Sequence, residues 1–119
     1  MGENTGKWGE EQAIAYLKEH NYEILAVNWR FKKLEIDIIA QTKDKIVFVE
    51  VKTRSTEDFG EPETFVSLKK QRFIISAANQ YIIEKNIDLE ARFDIVSVLV
   101  FNGKWTINHL PDAFYPIVK

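Results

Sequence analysis

Residues 34–54 read LEIDIIAQTKDKIVFVEVKTR, and the spacing of their apolar residues predicts two β-strands joined by a polar turn over Lys43 to Lys45. In the first strand, Leu34 to Thr42, one face collects Ile36, Ile38 and Ala40, and the other collects Glu35, Asp37, Ile39 and Gln41. In the second, Ile46 to Lys52, Val47, Val49 and Val51 take one face while Ile46, Phe48, Glu50 and Lys52 take the other. Both faces of that strand are apolar until its end, where one face turns ionic, as expected of a central strand that terminates at a site. Folded as a hairpin, the two strands bring Asp37 opposite Glu50, within reach of a single ion.

Asp37, Glu50 and Lys52 are thus charges in half-buried strands, a costly placement unless they are paired or bound to a metal. Two carboxylates brought together repel unless a cation lies between them or one takes up a proton. Hard oxygen ligands suit magnesium or manganese, which retain waters that a substrate phosphate can displace. Lys52, on the same face as Glu50, would orient an attacking water or neutralise charge developing on a phosphate. A buried carboxylate–lysine pair with a purely structural role accounts for the same pattern. Periodicity alone leaves both accounts open.

At 119 residues the chain is long enough for one domain with a real core and too short for two, so residues 1–119 are expected to form a single domain. With 45% hydrophobic and 29% charged residues it reads as an ordinary globular protein, free of repeats and low-complexity tracts. The absence of cysteine excludes a disulfide framework, a thiolate nucleophile and a thiolate zinc site, and fits a reducing compartment. His20 and His109 are the only imidazoles, which argues against a structural zinc. The first residues lack a signal-peptide pattern, Gly6 stands where a myristoylation motif needs Ser or Thr, and no apolar run approaches membrane-spanning length. The expectation is a cytoplasmic protein with no membrane association.

A net charge of −2 and a pI near 5.7 argue against a protein that coats nucleic acid by bulk electrostatics. The cations are nonetheless clustered: Arg30, Lys32 and Lys33 before the central stretch, Lys52 and Arg54 at its end, and Lys69, Lys70 and Arg72 beyond it. Solvated surface lysines explain any one cluster. Three clusters around one candidate site raise the prospect of phosphate contacts.

Outward from the centre, Gly6 to His20 is expected as a helix with Ala13, Ile14 and Leu17 on its apolar stripe and Asn21 as its stop. Glu10 lies on that stripe near the helix start, where the helix dipole by itself favours an acid. Tyr22 to Trp29 reads as a strand and Arg30 to Lys33 as a basic turn. Ser55 to Val66, with Gly60 and Pro62, reads as a loop whose Glu57, Asp58, Glu61 and Glu63 would repel a phosphate backbone. Ser67 is a suitable N-cap for a helix to about Lys85, with Ile74, Ile75, Ala78 and Ile82 as its buried stripe. Lys69, Lys70 and Arg72 fall in its first turns, where the dipole disfavours cations. Either they serve an anion site with the free backbone N–H groups, or the acidic loop neutralises them.

Arg92 to Phe101 is the most apolar strand and is expected to be central, and Asn102-Gly103 should turn the chain back into an edge strand, Lys104 to Leu110. Asp94 is expected to pair with Arg92 or with a loop. Trp8, Trp29 and Trp105 are read as core rather than as stacking platforms for bases. The tail, Pro111 to Lys119, carries Phe114, Tyr115, Ile117 and Val118 and should pack on the domain or on a second subunit.

Asp37, a spacer and then Glu50-Val51-Lys52 match the D…(D/E)-x-K core of the PD-(D/E)xK nuclease superfamily. The blocks LEIDIIA, FVEVKTR, Phe59-Gly60 and RFDIV at 92–96, together with Trp8-Gly9-Glu10, resemble the YraN-like family of small bacterial endonuclease-like proteins, related in fold to archaeal Holliday junction resolvases. The resemblance covers nearly the whole chain. It implies an α/β fold of the restriction-endonuclease-like α/β/α type, with a mixed central sheet of about five strands, a helix before it and a helix within the strand order. It further implies that Asp37 and Glu50 bind metal, that Lys52 serves catalysis and that Glu10 is an additional acid. Relatives usually have glycine where this chain has Leu34, so the turn entering that strand is expected to differ.

The function this implies is that of a metal-dependent DNA endonuclease acting on branched or otherwise structured DNA. Asp37, Glu50 and the Val51 carbonyl would hold magnesium or manganese, and Arg30, Lys32, Lys33, Arg54, Lys69, Lys70 and Arg72 would contact the nucleic acid. The alternative is a non-catalytic nucleic-acid-binding or assembly module that keeps the fold. Related folds often act as dimers on two-fold DNA, which leaves a homodimer open, although the sequence shows no dimer patch.

Overall fold

The computed structural model describes residues 5–55 and 64–116. The acids Glu57, Asp58, Glu61 and Glu63, the Phe59-Gly60 block, Pro62, and Ile117 and Val118 of the tail lie outside the described residues. The elements run α1 (Thr5–Glu19), β1 (Glu23–Phe31), β2 (Leu34–Gln41), β3 (Lys45–Ser55), α2 (Leu68–Glu84), β4 (Glu90–Phe101) and β5 (Lys104–Phe114). The strands form one mixed sheet in the order β1-β2-β3-β4-β5. One helix precedes the strands and the other lies inside their order, as the sequence led us to expect. Among the described residues, no helix is long and apolar enough to cross a membrane.

Two hairpins and one crossover build the sheet. β1, β2 and β3 are antiparallel neighbours, the second hairpin closing where the Thr42 amide donates to the Lys45 carbonyl at 2.9 Å. β3 and β4 are parallel from Lys45 opposite Glu90 to Ser55 opposite Val100. That pairing requires a long crossover connection, and α2 supplies it. β5 returns antiparallel along β4 as the edge strand. Its turn is the predicted one, with Asn102 at φ 50° and Gly103 at φ 73°, the left-handed pair of a tight hairpin.

The sheet is buried on both faces. On one, Ala13 and Leu17 of α1 pack on Ile38, Ala40, Val47, Val49 and Val96. On the other, Ile74, Ala77, Ala78 and Tyr81 of α2 pack on Ile36, Ile39, Ile46, Phe48, Phe93 and Ile95. The α2 stripe is thus rotated from the one expected: Ile75 and Ile82 are only partly buried, and Ala77 and Tyr81 take the centre. Ser67 caps α2 as predicted, its hydroxyl accepting from the Lys70 amide at 3.1 Å. Asn21 ends α1 with φ 68°.

Three local differences from the sequence reading have identifiable causes. Arg30 and Phe31 continue β1, so the first turn is only Lys32-Lys33, and the positive φ there (58°) falls on Lys32. Leu34 has ordinary strand backbone, and its position does not require glycine. Ile36 packs in the cluster of Ile39 rather than with Ile38 and Ala40, so the alternation along β2 breaks at Asp37. The register places Asp37 opposite Asn28 of β1, whose φ of 53° makes the neighbouring strand irregular at the same level. Finally, β5 runs on through Pro111 to Phe114, with Asp112 at φ 54°, so the start of the supposed tail is strand and Phe114 is buried against Phe93.

Candidate active site

The β2–β3 ladder pairs Ile38 with Val49 and goes no further. One step on, the strands part, and Asp37 and Glu50 face each other across the opening. The Val51 amide donates to Asp37 Oδ2 at 2.8 Å, tying the carboxylate of β2 to the backbone of β3. In an extended strand, one residue's N–H and C=O point to the same neighbour. The Val51 carbonyl is therefore directed into the same opening, while its side chain joins the α1-side core.

The Glu50 side chain is 14% exposed, with Oε2 3.4 Å from the Lys70 ammonium of α2. Its other oxygen, Oε1, is buried and receives no hydrogen bond from any described residue. Burial, followed by the charge of Glu50, pushes the Asp37 carboxyl up to about 7, against the opposing bond from the Val51 amide. Burial likewise raises Glu50, although Lys70 and the Asp37 carboxyl pull the other way. The two acids lie within hydrogen-bonding reach of each other and behave as a pair that prefers to hold one proton between them.

Glu10 approaches from α1. A Cβ on Gly9 would overlap the Thr53 hydroxyl, so glycine lets the helix start sit directly on β3. This close approach brings the next residue near the strand opening, where the Glu10 carboxylate accepts from Asn28 Nδ2 at 3.1 Å. Burial, then the charge of Asp37, raises the Glu10 carboxyl, and its own charge in turn raises Glu50. Glu10 is therefore in electrostatic contact with the pair without touching it. Asn28 was not singled out in the sequence; the one available signal was a polar residue between Val27 and Trp29 in an otherwise apolar strand.

The other predicted residues divide into those near the pair and those apart. Lys52 shares the face of Glu50, but its ammonium donates to the Phe65 carbonyl at 2.9 Å and sits 5.5 Å from the centre of the Phe65 ring. Lys70 is the cation that meets Glu50. Lys69 lies over the exposed ring of Phe73 at 5.8 Å, and Arg72 is exposed on the same helix. Arg54 is on β3 beyond Lys52. Arg30 pairs with Glu35 at 3.6 Å, and Lys32 and Lys33 form the β1–β2 turn.

Asp94 belongs to a different centre. It is fully buried on the α1 side of β4 and takes both Nε (2.9 Å) and Nη2 (2.7 Å) of Arg92, as expected. It also meets His109 Nε2 at 2.7 Å and the Asp112 amide at 3.0 Å. Burial acts to raise this carboxyl, but the bonds from His109, Arg92 and the Asp112 amide outweigh it and hold Asp94 below the usual range. Tyr22 accepts from Arg92 at 2.7 Å, and Tyr16 of α1 meets His109 Nδ1 at 3.1 Å. This network fastens α1 and β5 to β4.

The donors present fit a hard divalent cation. Two adjacent carboxylates repel, one buried oxygen has no donor among the described residues, and a backbone carbonyl is directed into the opening. Among the described residues, no three His, Cys, Asp or Glu side chains gather into a complete metal cage. Magnesium, which commonly uses one or two carboxylates and fills its remaining positions with water and phosphate, does not need one.

Comparison with known proteins agrees with the family seen in the sequence motifs. Residues 9–98 match the model of the uncharacterised protein family UPF0102. A UPF0102 protein of Flavobacterium psychrophilum is 47% identical over 112 residues, covering 94% of this chain and 94% of the relative. One from Bacteroides thetaiotaomicron is 46% identical over 111 residues, 93% of this chain and 92% of the relative. One from Alkaliphilus oremlandii is 44% identical over 117 residues, 96% of this chain and all of the relative. The matched region takes in α1 from Gly9, both acids of the strand opening and most of β4, and the chain belongs to the uncharacterised protein family UPF0102, the YraN family.

Proposed function

We propose that the protein is a metal-dependent DNA endonuclease whose centre is the Asp37–Glu50 pair. The observation that carries this reading is the pair of buried carboxyls that face each other where β2 and β3 part, with Asp37 raised to about 7 and Glu50 Oε1 without a donor among the described residues. A structural ion pair needs one carboxylate and one cation, whereas here a second buried carboxyl is brought against the first, at a cost that a divalent cation would offset. Asp37, Glu50 and the Val51 carbonyl would hold magnesium or manganese, which when bound supplies an activated water and a counter-charge for the phosphate.

The chain's own residues account for the rest. The Val51 amide fixes the Asp37 carboxylate, so its position is set before substrate arrives. Glu10, held by Asn28, adds negative field at the opening and can accept a proton from water at its rim. Lys70 neutralises Glu50 and is positioned to move to phosphate. Lys52, on the same face as Glu50, becomes the electrostatic partner of the scissile group once it leaves the Phe65 carbonyl. Arg30, Lys32, Lys33, Arg54, Lys69 and Arg72 supply outlying phosphate contacts. A DNA substrate also suits the cytoplasmic location expected from the cysteine-free sequence.

Incubation with branched, flapped, nicked and linear DNA in magnesium or manganese tests this. Cleavage is expected that disappears in Asp37→Asn and Lys52→Ala, and cleavage unchanged in both would overturn the assignment. One observation favours the second reading, a nucleic-acid-binding or assembly module without turnover: the Lys52 ammonium donates to the Phe65 carbonyl and lies over the Phe65 ring. Salt-dependent DNA binding with no cleavage of any substrate would select that reading.

A further inference from the structure

At and just before the start of α2, the helix whose Lys70 meets Glu50, the surface carries aromatic rings that the core does not use. Phe65 is 44% exposed and Phe73 is 43% exposed. Each has a lysine ammonium against its face, Lys52 at 5.5 Å and Lys69 at 5.8 Å. Both pairs adjoin the candidate centre through the chain. Lys52 is two residues beyond Glu50 on the same strand face, and Lys69 precedes Lys70, the residue that meets Glu50.

The tryptophans pack on other rings, although Trp105, expected from the sequence as core, is 44% exposed on the edge strand β5. Trp29 packs edge-on to Tyr81 at 5.2 Å, and Trp8 packs edge-on to Trp105 at 5.5 Å. The half-exposed rings that carry a lysine ammonium are Phe65 and Phe73. That combination suits a ligand with flat faces and a regular negative charge. An unpaired nucleobase offers the face and its phosphate the charge. Bases inside a duplex are already stacked on one another and present only their edges in the grooves. A ring on the protein surface gains a stacking partner from them only where the duplex is open.

We propose that Phe65 and Phe73, with Lys52 and Lys69, form a platform for single-stranded DNA, so that the substrates of this protein carry an unpaired segment next to the cleaved phosphate. The proposal rests on the reading of Asp37 and Glu50 as a hydrolytic centre for DNA, and it deepens that reading by naming the substrate class. The strand would lie with bases on the two rings and phosphates toward Lys69, Lys70 and Lys52. The ammonium of Lys52 would exchange its bond to the Phe65 carbonyl for phosphate as the neighbouring base docks.

The test separates the platform from the chemistry by measuring binding in chelator, where no cleavage occurs. Fluorescence anisotropy is read with labelled oligothymidine of about 20 nucleotides, the matching duplex, and oligouridine of the same length, a length that spans a single-strand binding site. The single-stranded DNA is expected to bind at least tenfold tighter than the duplex. Phe65→Ala and Phe73→Ala should each weaken it roughly fivefold to a hundredfold, the range for losing one stacked base, and leave duplex binding unchanged. Lys69→Ala should lower the slope of log affinity against log salt by roughly 0.7, the single-strand value for one phosphate contact. Melting curves confirm that the variants are folded. Equal binding of duplex and single strand, loss of neither on removing the rings, or tighter binding of oligouridine would overturn the proposal. Ring-dependent binding with no cleavage in magnesium would keep the platform and remove the hydrolytic reading. Duplex cleavage unaffected by Phe65→Ala and Phe73→Ala would do the reverse.

Discussion

Val51 and Asp37 are joined by a hydrogen bond of 2.8 Å from the amide of one to Oδ2 of the other, at the point where β2 and β3 separate. The carboxylate thereby takes the place of the next rung of the ladder. A side chain closes the sheet, and the two acids are held together at some electrostatic cost.

That cost should appear in the pH dependence of stability. With Asp37 at about 7 and Glu50 also raised, the folded chain retains protons that the unfolded chain has released above about pH 4. Stability without divalent ions therefore falls as pH rises through that window and levels off above pH 7. The fall is bounded at roughly 4 kcal/mol, three pH units at about 1.4 kcal/mol each, shared by the coupled pair. Urea unfolding in chelator from pH 5 to 8 should show the midpoint dropping, with Asp37→Asn removing most of the slope. A wild-type midpoint that stays flat or climbs would contradict the paired acids.

Divalent ions should reverse this loss. Manganese or magnesium at ten times its dissociation constant stabilises a binding fold by about 1.4 kcal/mol, a rise of several degrees in Tm. The shift should be largest near pH 8, where both acids are ionised, and absent in Asp37→Asn and Glu50→Gln. Calorimetric melts at pH 6 and pH 8 make the comparison, and an equal shift in Asp37→Asn would place the metal elsewhere.

Asp94 should matter to stability and not to the ion. Asp94→Asn leaves Arg92 without its carboxylate inside the fold, a loss of roughly 3–5 kcal/mol. Because this carboxyl is held low, its contribution is present above about pH 4, the unfolded value, and is lost as pH falls toward its lower folded value. Equilibrium unfolding at pH 7 and pH 3 should show the variant and wild type converging in acid. A manganese response that vanished in a folded Asp94→Asn protein would break the separation between the two centres.

Gly9→Ala should destabilise by about 1–3 kcal/mol, because the new Cβ overlaps Thr53 and forces α1 away from β3. Thr53→Gly in the same chain should recover part of the loss. A double-mutant cycle measured in urea reads the coupling, and strict additivity would show that the contact is not what requires glycine.

The hairpin of Asp37 and Glu50 was legible in the sequence because strand alternation carries most side chains to their faces without tertiary information. The exception, Ile36, changes partners at the level where Asn28 of the neighbouring strand is left-handed, an irregularity that no pattern within β2 reveals. The cations show the same limit. Lys52 and Lys70 are equally visible in the chain, but that Lys70 meets Glu50 depends on where α2 comes to rest. The pairing of Asp94 with Arg92 follows from residues two apart on one strand face. His109, Tyr16 and Tyr22 join them only through the β4–β5 register and the docking of α1.

The irregular residues of the outer strands have a consequence for self-association. β1 has a register shift between Ile24 and Ala26 and a left-handed Asn28, and β5 carries Pro111 and a left-handed Asp112 before Phe114. The β1 margin therefore offers no long, flat row of amides and carbonyls to an incoming strand, whereas β5 is regular over Lys104 to Leu110 and is interrupted only beyond it. Growth of the sheet by an added strand is thus hindered along the whole of β1, and along β5 an added strand would run only as far as Leu110 before meeting Pro111.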